Sequence, residues 1–163
     1  VTTLKSQGIQ AQHFKDTLKA HAAGVVVVTG QTEGIPAGLT ATSFTAVSLD
    51  PPLVSFYAAR SSTTWPRLRT AEYFAVNVLA QGQDGIAAKF AGKEPDRFAG
   101  TSWHLNEHGV PLLEGAAAQL TCRPYDIIEI GDHELVVGLV IDAVVRAELP
   151  LLYHQGRFGR FIL

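Results

Sequence analysis

A change of hydrophobic period at Gly24 constrains this chain more than any other feature. Upstream, Phe14, Leu18 and Ala22 recur at helical spacing, which predicts a helix from about Gln12 to a stop at Gly24. Downstream the pattern becomes that of strands. Val25, Val26, Val27, Val28 and Thr29 form a β-branched run, closed by a Glu33-Gly34 turn signal. Strand-like runs follow at 39–44, 53–57, 73–79, 119–123, 127–130 and 135–145, with two short helical patterns at 62–69 and 85–90. Many short strands punctuated by Gly and Pro predict one mostly β domain of α+β class over residues 1–163. The expected architecture is a closed or nearly closed antiparallel barrel with short flanking helices. A doubly wound parallel sheet needs long alternating helices and a glycine-rich fingerprint, and the chain has neither.

Composition narrows the function classes. With 47% apolar and 17% charged residues, 163 residues suffice for one ordered core. The formal net charge is −2 and no basic block stands out, which argues against a nucleic-acid partner. The mixed charges of 89–97 read as a solvated loop. One cysteine, Cys122, sits in a strand-like run and reads as an inert core thiol, with no disulfide framework available. The aliphatic run 25–28 is too short to cross a bilayer, and no signal-peptide pattern opens the chain, so no membrane and a cytoplasmic location are expected. His104 and His108 have the spacing of a helical metal pair, but Asn106 and Gly109 make the stretch a turn, and no metal role is expected. Nucleophile elbow, phosphate-binding loop and cysteine knuckle motifs are all missing.

Several backbone-rich and hydroxyl-rich segments remain. Gly38-Leu39-Thr40-Ala41-Thr42-Ser43-Phe44 places small and hydroxyl side chains where backbone groups could reach the rim of a planar ligand, or it is an ordinary strand with a small-residue face. Arg60-Ser61-Ser62-Thr63-Thr64-Trp65-Pro66 reads as a capped helix start, either a plain cap or a phosphate site. Lys89-Phe90-Ala91-Gly92 could add a cation for an anionic ligand. Gly131-Asp132-His133 leads a strand, and His133 is either structural or a flat ring offered to a ligand. The segment 150–158, which contains Tyr153, reads as a β-hairpin.

The order of these pieces resembles the flavin reductase-like family of FMN-binding split barrels, the reductase components of two-component flavin-dependent monooxygenases. The matching residues are those of 38–44, Ser48-Leu49-Asp50-Pro51-Pro52-Leu53, Ser61-Ser62-Thr63 and Phe74-Ala75-Val76-Asn77-Val78-Leu79. They continue through Lys89-Phe90-Ala91-Gly92-Lys93, Asp96-Arg97-Phe98, Gly131-Asp132-His133 and Pro150-Leu151-Leu152-Tyr153, so nearly the whole chain takes part. The resemblance implies a six-stranded antiparallel split β-barrel of Greek-key type, a homodimer, and a flavin near the subunit interface. It implies that Thr40, Ala41, Thr42 and Ser43 line the flavin ring. Arg60, Ser61, Ser62, Thr63, Lys89 and Phe90 would complete the flavin site, and His133 and Tyr153 would face the nicotinamide. Thr42 stands where many relatives carry serine, which leaves FMN and FAD both open.

The activity so implied is an NAD(P)H:flavin oxidoreductase that moves a hydride from NADH or NADPH to FMN or FAD and hands reduced flavin to a partner monooxygenase. Such chemistry is carried by the cofactors and asks for orientation rather than an acid–base side chain, so no catalytic residue is expected. Two alternatives belong beside it: a split-barrel flavoprotein that keeps its flavin and acts on its own substrate, and a non-catalytic flavin-binding module.

Overall fold

The computed structural model describes residues 8–163. Helix α1 (Ala11–Leu18) leads into strands β1 (Ala23–Gly24), β2 (Val26–Thr32), β3 (Ile35–Ala41), β4 (Thr45–Leu49) and β5 (Pro52–Ala59). Helix α2 (Trp65–Leu68), strand β6 (Phe74–Val78) and helix α3 (Asp84–Ala91) come next, then β7 (Trp103–Leu105) and β8 (Pro111–Leu113). Two long strands, β9 (Ala118–Ile130) and β10 (His133–Val145), precede β11 (Leu151–His154) and β12 (Arg157–Arg160).

The main sheet has seven antiparallel strands in the order β3-β2-β6-β9-β10-β5-β4. A three-stranded sheet, β1-β11-β12, and the β7-β8 pair complete the β structure. The mostly β expectation holds; the count of six strands gives way to seven in the main sheet. The strand missing from the sequence reading is β4, whose residues are exposed apart from a half-buried Ser48, so it lacks the alternation that marks a half-buried strand. The runs 119–123 and 127–130 are one strand, since Pro124 is accommodated at an irregularity opposite Val137 and Gly138. Helix α1 stops at Leu18, short of Gly24, because Ala23 and Gly24 pair with Tyr153 and Leu152 instead.

Strand β2 shows why the run at 25–28 does not alternate. Val26 and Val28 join Phe56, Trp65, Phe74 and Val136 in one core. Val25 and Val27 enter a second core with Leu79, Phe90, Phe98, Leu113 and Leu151. A strand covered on both faces needs apolar residues at every position. In the first core Phe56 meets the rings of Trp65 and Phe74 edge-on at 5.9 and 5.8 Å, contacts worth about 0.5–1.5 kcal/mol each beyond area burial. Gly138 is required there, because a Cβ would lie 2.5 Å from Phe74 Cζ.

Between the cores and the 103–117 excursion runs a buried polar network centred on Asn77. Its amide nitrogen donates to the Val27 carbonyl (3.0 Å) and to Thr29 Oγ1 (2.9 Å). Its carbonyl oxygen accepts from the Leu113 amide (3.0 Å) and Gln119 Nε2 (2.9 Å). The Thr29 hydroxyl donates a hydrogen bond to the Pro111 carbonyl, and Gln119 Oε1 accepts from Arg146 Nη1 at 3.0 Å. Removing Asn77 would strand several buried groups, each costing about 1–3 kcal/mol. Asn77→Ala is therefore expected to lower stability by about 2–4 kcal/mol, read as a fall in the urea midpoint at unchanged m-value.

Cys122 is fully buried in the first core. Burial pushes its thiol up to about 12 from 9.0. The protonated thiol favours the native state fully below about pH 9, and that contribution is lost as pH rises through about 12. A thiol-specific disulfide reagent at pH 8 should leave the native protein unmodified and titrate one thiol after unfolding; fast modification of the native protein would contradict the placement.

Candidate active site

The two edges of the main sheet, β3 and β4, are consecutive in the chain and joined by Thr42, Ser43 and Phe44. The corner is fastened to β5, where Ser43 Oγ accepts the Tyr57 amide at 3.0 Å. A cleft of about 930 Å³ opens beside this corner. Its floor is made of small side chains, Ala41 from β3, Ala58 and Ala59 from β5, and Ala91 at the end of α3. Leu39, Thr40, Thr42, Ser43, Ser62 and His133 surround that floor, with Tyr57 and Ile130 on one side and Phe14 and Leu18 of α1 on another. An edge strand keeps alternate backbone amides and carbonyls unpaired by its sheet, so β3 can offer polar groups here without disrupting a ladder.

Each side chain has a specific anchorage. Thr40 donates its hydroxyl to the Ala87 carbonyl at 2.7 Å, pinning α3 to β3. Ser62 Oγ accepts the Thr64 and Trp65 amides at 3.3 and 3.1 Å, which leaves its own proton available to the cleft. The helix it precedes is shorter than the 62–69 pattern predicts, because only 65–68 are helical. Trp65 Nε1 donates to the buried Glu134 carboxylate, and Arg69 Nε lies 3.5 Å from it, so α2 and the Ser62 turn are tied to β10.

Phe90 is fully buried and meets Phe98 edge-on at 5.0 Å, so it underlies the cleft rather than standing in it. A Cβ on Gly38 would lie 2.7 Å from the Phe90 ring, which makes this glycine a condition of the floor's shape. Arg97 holds that region together. Its Nη1 donates to the Gly38 and Phe90 carbonyls at 2.8 Å each, and its Nη2 donates to the Gly92 carbonyl. Burial lowers the Arg97 pKa and Glu94 opposes that effect; a guanidinium stays charged regardless.

His133 joins the lining from the start of β10, where it pairs with Ala59 of β5. It follows a two-residue turn in which Gly131 has φ +59°, the form in which glycine at the first turn position matches the strand twist. His133 Nδ1 lies 2.7 Å from Asp132 Oδ1. The hydrogen bond from His133 holds the Asp132 carboxyl below its usual range. An ionised carboxylate only accepts, so Nδ1 carries the proton, and in the neutral ring Nε2 is left as an acceptor.

The remaining residues singled out from the sequence lie elsewhere. Arg60 and Ser61 line an adjoining concavity that shares Ala59 and His133 with the main cleft. Thr63 is exposed on the turn before α2. Lys89 turns to the other side of α3, donating to the Ala99 carbonyl and to Thr101 Oγ1. Tyr153 pairs with Ala23 in the small sheet and packs on Phe158 at 5.3 Å, apart from the cleft. His104 contacts Glu114 while His108 stacks near Tyr73. Among the described residues no cluster could hold a metal ion, and no helix is long and apolar enough to cross a membrane.

The sequence reading passed over Arg97, Tyr57, Phe14 and Leu18 as site residues. Arg97 stood in a mixed-charge stretch and in the Asp96-Arg97-Phe98 piece of the resemblance without a role of its own, whereas Phe14 and Leu18 were legible as a helical pair that tertiary placement turned to the cleft. The titratable side chains on the lining are Tyr57, Arg97 and His133, without a carboxylate or thiol. A flat, small-residue floor with edge-strand polar groups and no acid–base pair suits holding planar rings together, and a flavin fits that donor set.

The family model described as flavin reductase like domain matches residues 18–161. An NADH-dependent FMN reductase from Agrobacterium fabrum is 40% identical over 154 residues, covering 94% of this chain and 88% of that protein. The reductase subunit of a flavin-dependent monooxygenase from Rhodococcus jostii is 34% identical over 154 residues, covering 94% and 79%. Among solved structures, an NADH:FAD oxidoreductase from Streptomyces globisporus, in complex with NAD and FAD fragments, superposes with a TM-score of 0.88. It is 36% identical, with 96% of this chain and 98% of that one covered. With the cleft geometry in agreement, the chain belongs to the flavin reductase-like family.

Proposed function

We propose that this protein is an NAD(P)H:flavin oxidoreductase that supplies reduced flavin to a partner flavin-dependent monooxygenase. The observation that carries the reading is the small-residue cleft between the β3 edge and His133, in a chain of this family. When both groups are bound, the chemistry they supply is hydride transfer from the reduced nicotinamide to the flavin. Relatives named as NADH-dependent FMN reductase and as monooxygenase reductase subunit support the electron donor and the partner.

The chain's own residues bind and orient. The unpaired backbone groups of β3 and the corner at Thr42 and Ser43 offer donors to the edge of a flavin ring, where negative charge develops on reduction. The Ser61-Ser62-Thr63 turn offers hydroxyls and amides to the phosphate end, while Arg97 keeps the floor beneath it in place. Lys89 acts indirectly, by bracing the 99–101 segment next to Arg97. His133 presents Nε2 as an acceptor that suits the nicotinamide carboxamide, with Asp132 setting the tautomer.

The same reading makes the chain one domain that works as a homodimer with a split barrel in each subunit, in the cytoplasm, where reduced nicotinamide is available. Support for the dimer comes from apolar side chains left exposed on two strands of the main sheet: Val47 and Leu49 on β4, Tyr125, Ile128 and Ile130 on β9. A second copy placed there would remove them from water.

The deciding experiment is steady-state NADH oxidation with FMN, FAD and riboflavin added in turn. Turnover should scale with free flavin; turnover on a tightly retained flavin with an added organic substrate would favour the alternative flavoprotein. In the same assay His133→Ala should raise the KM for NADH or slow flavin reduction, by roughly a hundred-fold at most, with flavin affinity by fluorescence nearly unchanged. His133→Asn should recover part of the loss. Sedimentation at micromolar concentration should give a dimer, and an active, flavin-loaded monomer would contradict that part of the reading.

A further inference from the structure

Glu134 is the one buried carboxylate among the described residues. It follows His133 on β10, and successive strand residues face opposite ways. His133 therefore reaches the cleft while Glu134 turns inward, opposite Ala58 of β5. There it accepts from Trp65 Nε1 and lies 3.5 Å from Arg69 Nε. We propose that Glu134 is a positioning residue for hydride transfer: it holds the Ser62 turn in place relative to His133, so that filling the flavin-phosphate end favours nicotinamide binding. The proposal rests on the flavin reductase reading for what Ser62 and His133 hold.

The tie runs through few atoms. Ser62 Oγ accepts the Trp65 amide at 3.1 Å, and the Trp65 indole reaches Glu134, whose neighbour in the chain is His133. At the other end of the same turn the Arg60 amide donates to the Asp132 carbonyl at 3.0 Å. The segment 60–65 is thus fastened to 132–134 at both ends, with Ser61, Ser62 and Thr63 between the fastenings. The Arg60 bond is made by backbone and is the same whatever the side chain. The Trp65–Glu134 bond belongs to two side chains. Neither of them lines the cleft, so both act through residues that do.

Stability alone does not account for a carboxylate at this position. Taking it out of water is costly, and an apolar side chain of similar volume commonly serves a core as well or better. Glu129 stands directly across from it on β9, and like charges so placed weaken a sheet. What the carboxylate supplies is direction. A hydrogen bond at Nε1 fixes the indole more narrowly than edge-on packing against Phe56 at 5.9 Å does. Arg69, just past α2, adds a second contact, so both ends of that helix meet the same carboxylate.

The test combines Trp65→Phe with Glu134→Leu in the full-length protein. Removing both partners leaves neither one buried and unpaired, and Arg69 is half-exposed to water, so the double variant should melt near the wild-type temperature. NADH oxidation is then measured with FMN and with riboflavin, which has no phosphate, and flavin affinities are read by fluorescence. In wild type the KM for NADH should be lower with FMN than with riboflavin. In the double variant that difference should vanish, the KM with FMN rising about three- to ten-fold, below the roughly hundred-fold that a full loss of orientation can cost. FMN should bind less tightly and riboflavin as before. Glu134→Gln keeps an acceptor for the indole and should retain the FMN effect. On a His133→Ala background, Glu134→Leu should add nothing to the KM for NADH, because the residue acts through His133. Trp65→Phe alone serves if the double variant does not fold. Equal KM values with the two flavins in wild type, an unchanged pattern in the double variant, or additive losses with His133→Ala would each overturn the proposal. So would FMN and riboflavin weakened alike beside a large fall in melting temperature, the mark of a purely structural role. Failure of the flavin reductase reading would look different: wild type would oxidise NADH with neither flavin.

Discussion

The carboxamide of Asn77 is the point on which the two halves of this molecule depend. It stands in the middle of the main sheet, facing the second core, and joins β2, β6, β9 and the 103–117 excursion through four hydrogen bonds. An apolar side chain of similar size could fill the space, but it could not hold the Leu113 amide and the Val27 carbonyl at once. A buried network of this kind favours one arrangement because a shifted strand would leave its members unpaired in a low-dielectric interior. The excursion so fixed covers the second core, in which Phe90 and Phe98 pack. Phe90 in turn lies under the cleft. The floor of the candidate site is thus held from beneath by a polar contact far from its opening.

A sheet that does not close has its own consequence. The edge strands β3 and β4 carry backbone groups that no ladder uses, ordinarily an aggregation hazard. Here the edge at Leu39, Thr40 and Ala41 faces the cleft, while the corner is secured by the Ser43–Tyr57 bond. The feature that would be a liability on an open surface becomes a row of donors and acceptors beside a ligand space.

The distribution of charge around the cleft agrees with chemistry that cofactors perform. Arg97 spends its donors on three backbone carbonyls, two of them near the C-terminal end of α3, where a cation is favoured. Asp132 spends its carboxylate on orienting His133. Neither arrangement resembles a proton-transfer pair. Both keep surrounding groups at fixed positions, which is what hydride transfer between stacked rings requires of a protein.

Much of this was legible along the chain. The drop in period after Gly24, the hydroxyl-rich stretches and the order of short motifs determined a mostly β chain of this family and singled out Thr40, Ala41, Thr42, Ser43, Ser62 and His133, which the fold brings to one cleft. Strand-forming patterns survive because they reflect which face is buried, a property that neighbouring residues share. Tertiary structure alone decided the rest. Strand β4 escaped because it is exposed and does not alternate. Lys89 and Tyr153 are not on the lining of that cleft and make their contacts with Ala99 and Phe158, since a rotation of about 100° per residue on a helix, or one residue on a strand, redirects a side chain entirely. Arg97 became a lining residue only when its guanidinium reached back across the end of α3 to Gly38, a contact over 59 positions that no local pattern encodes.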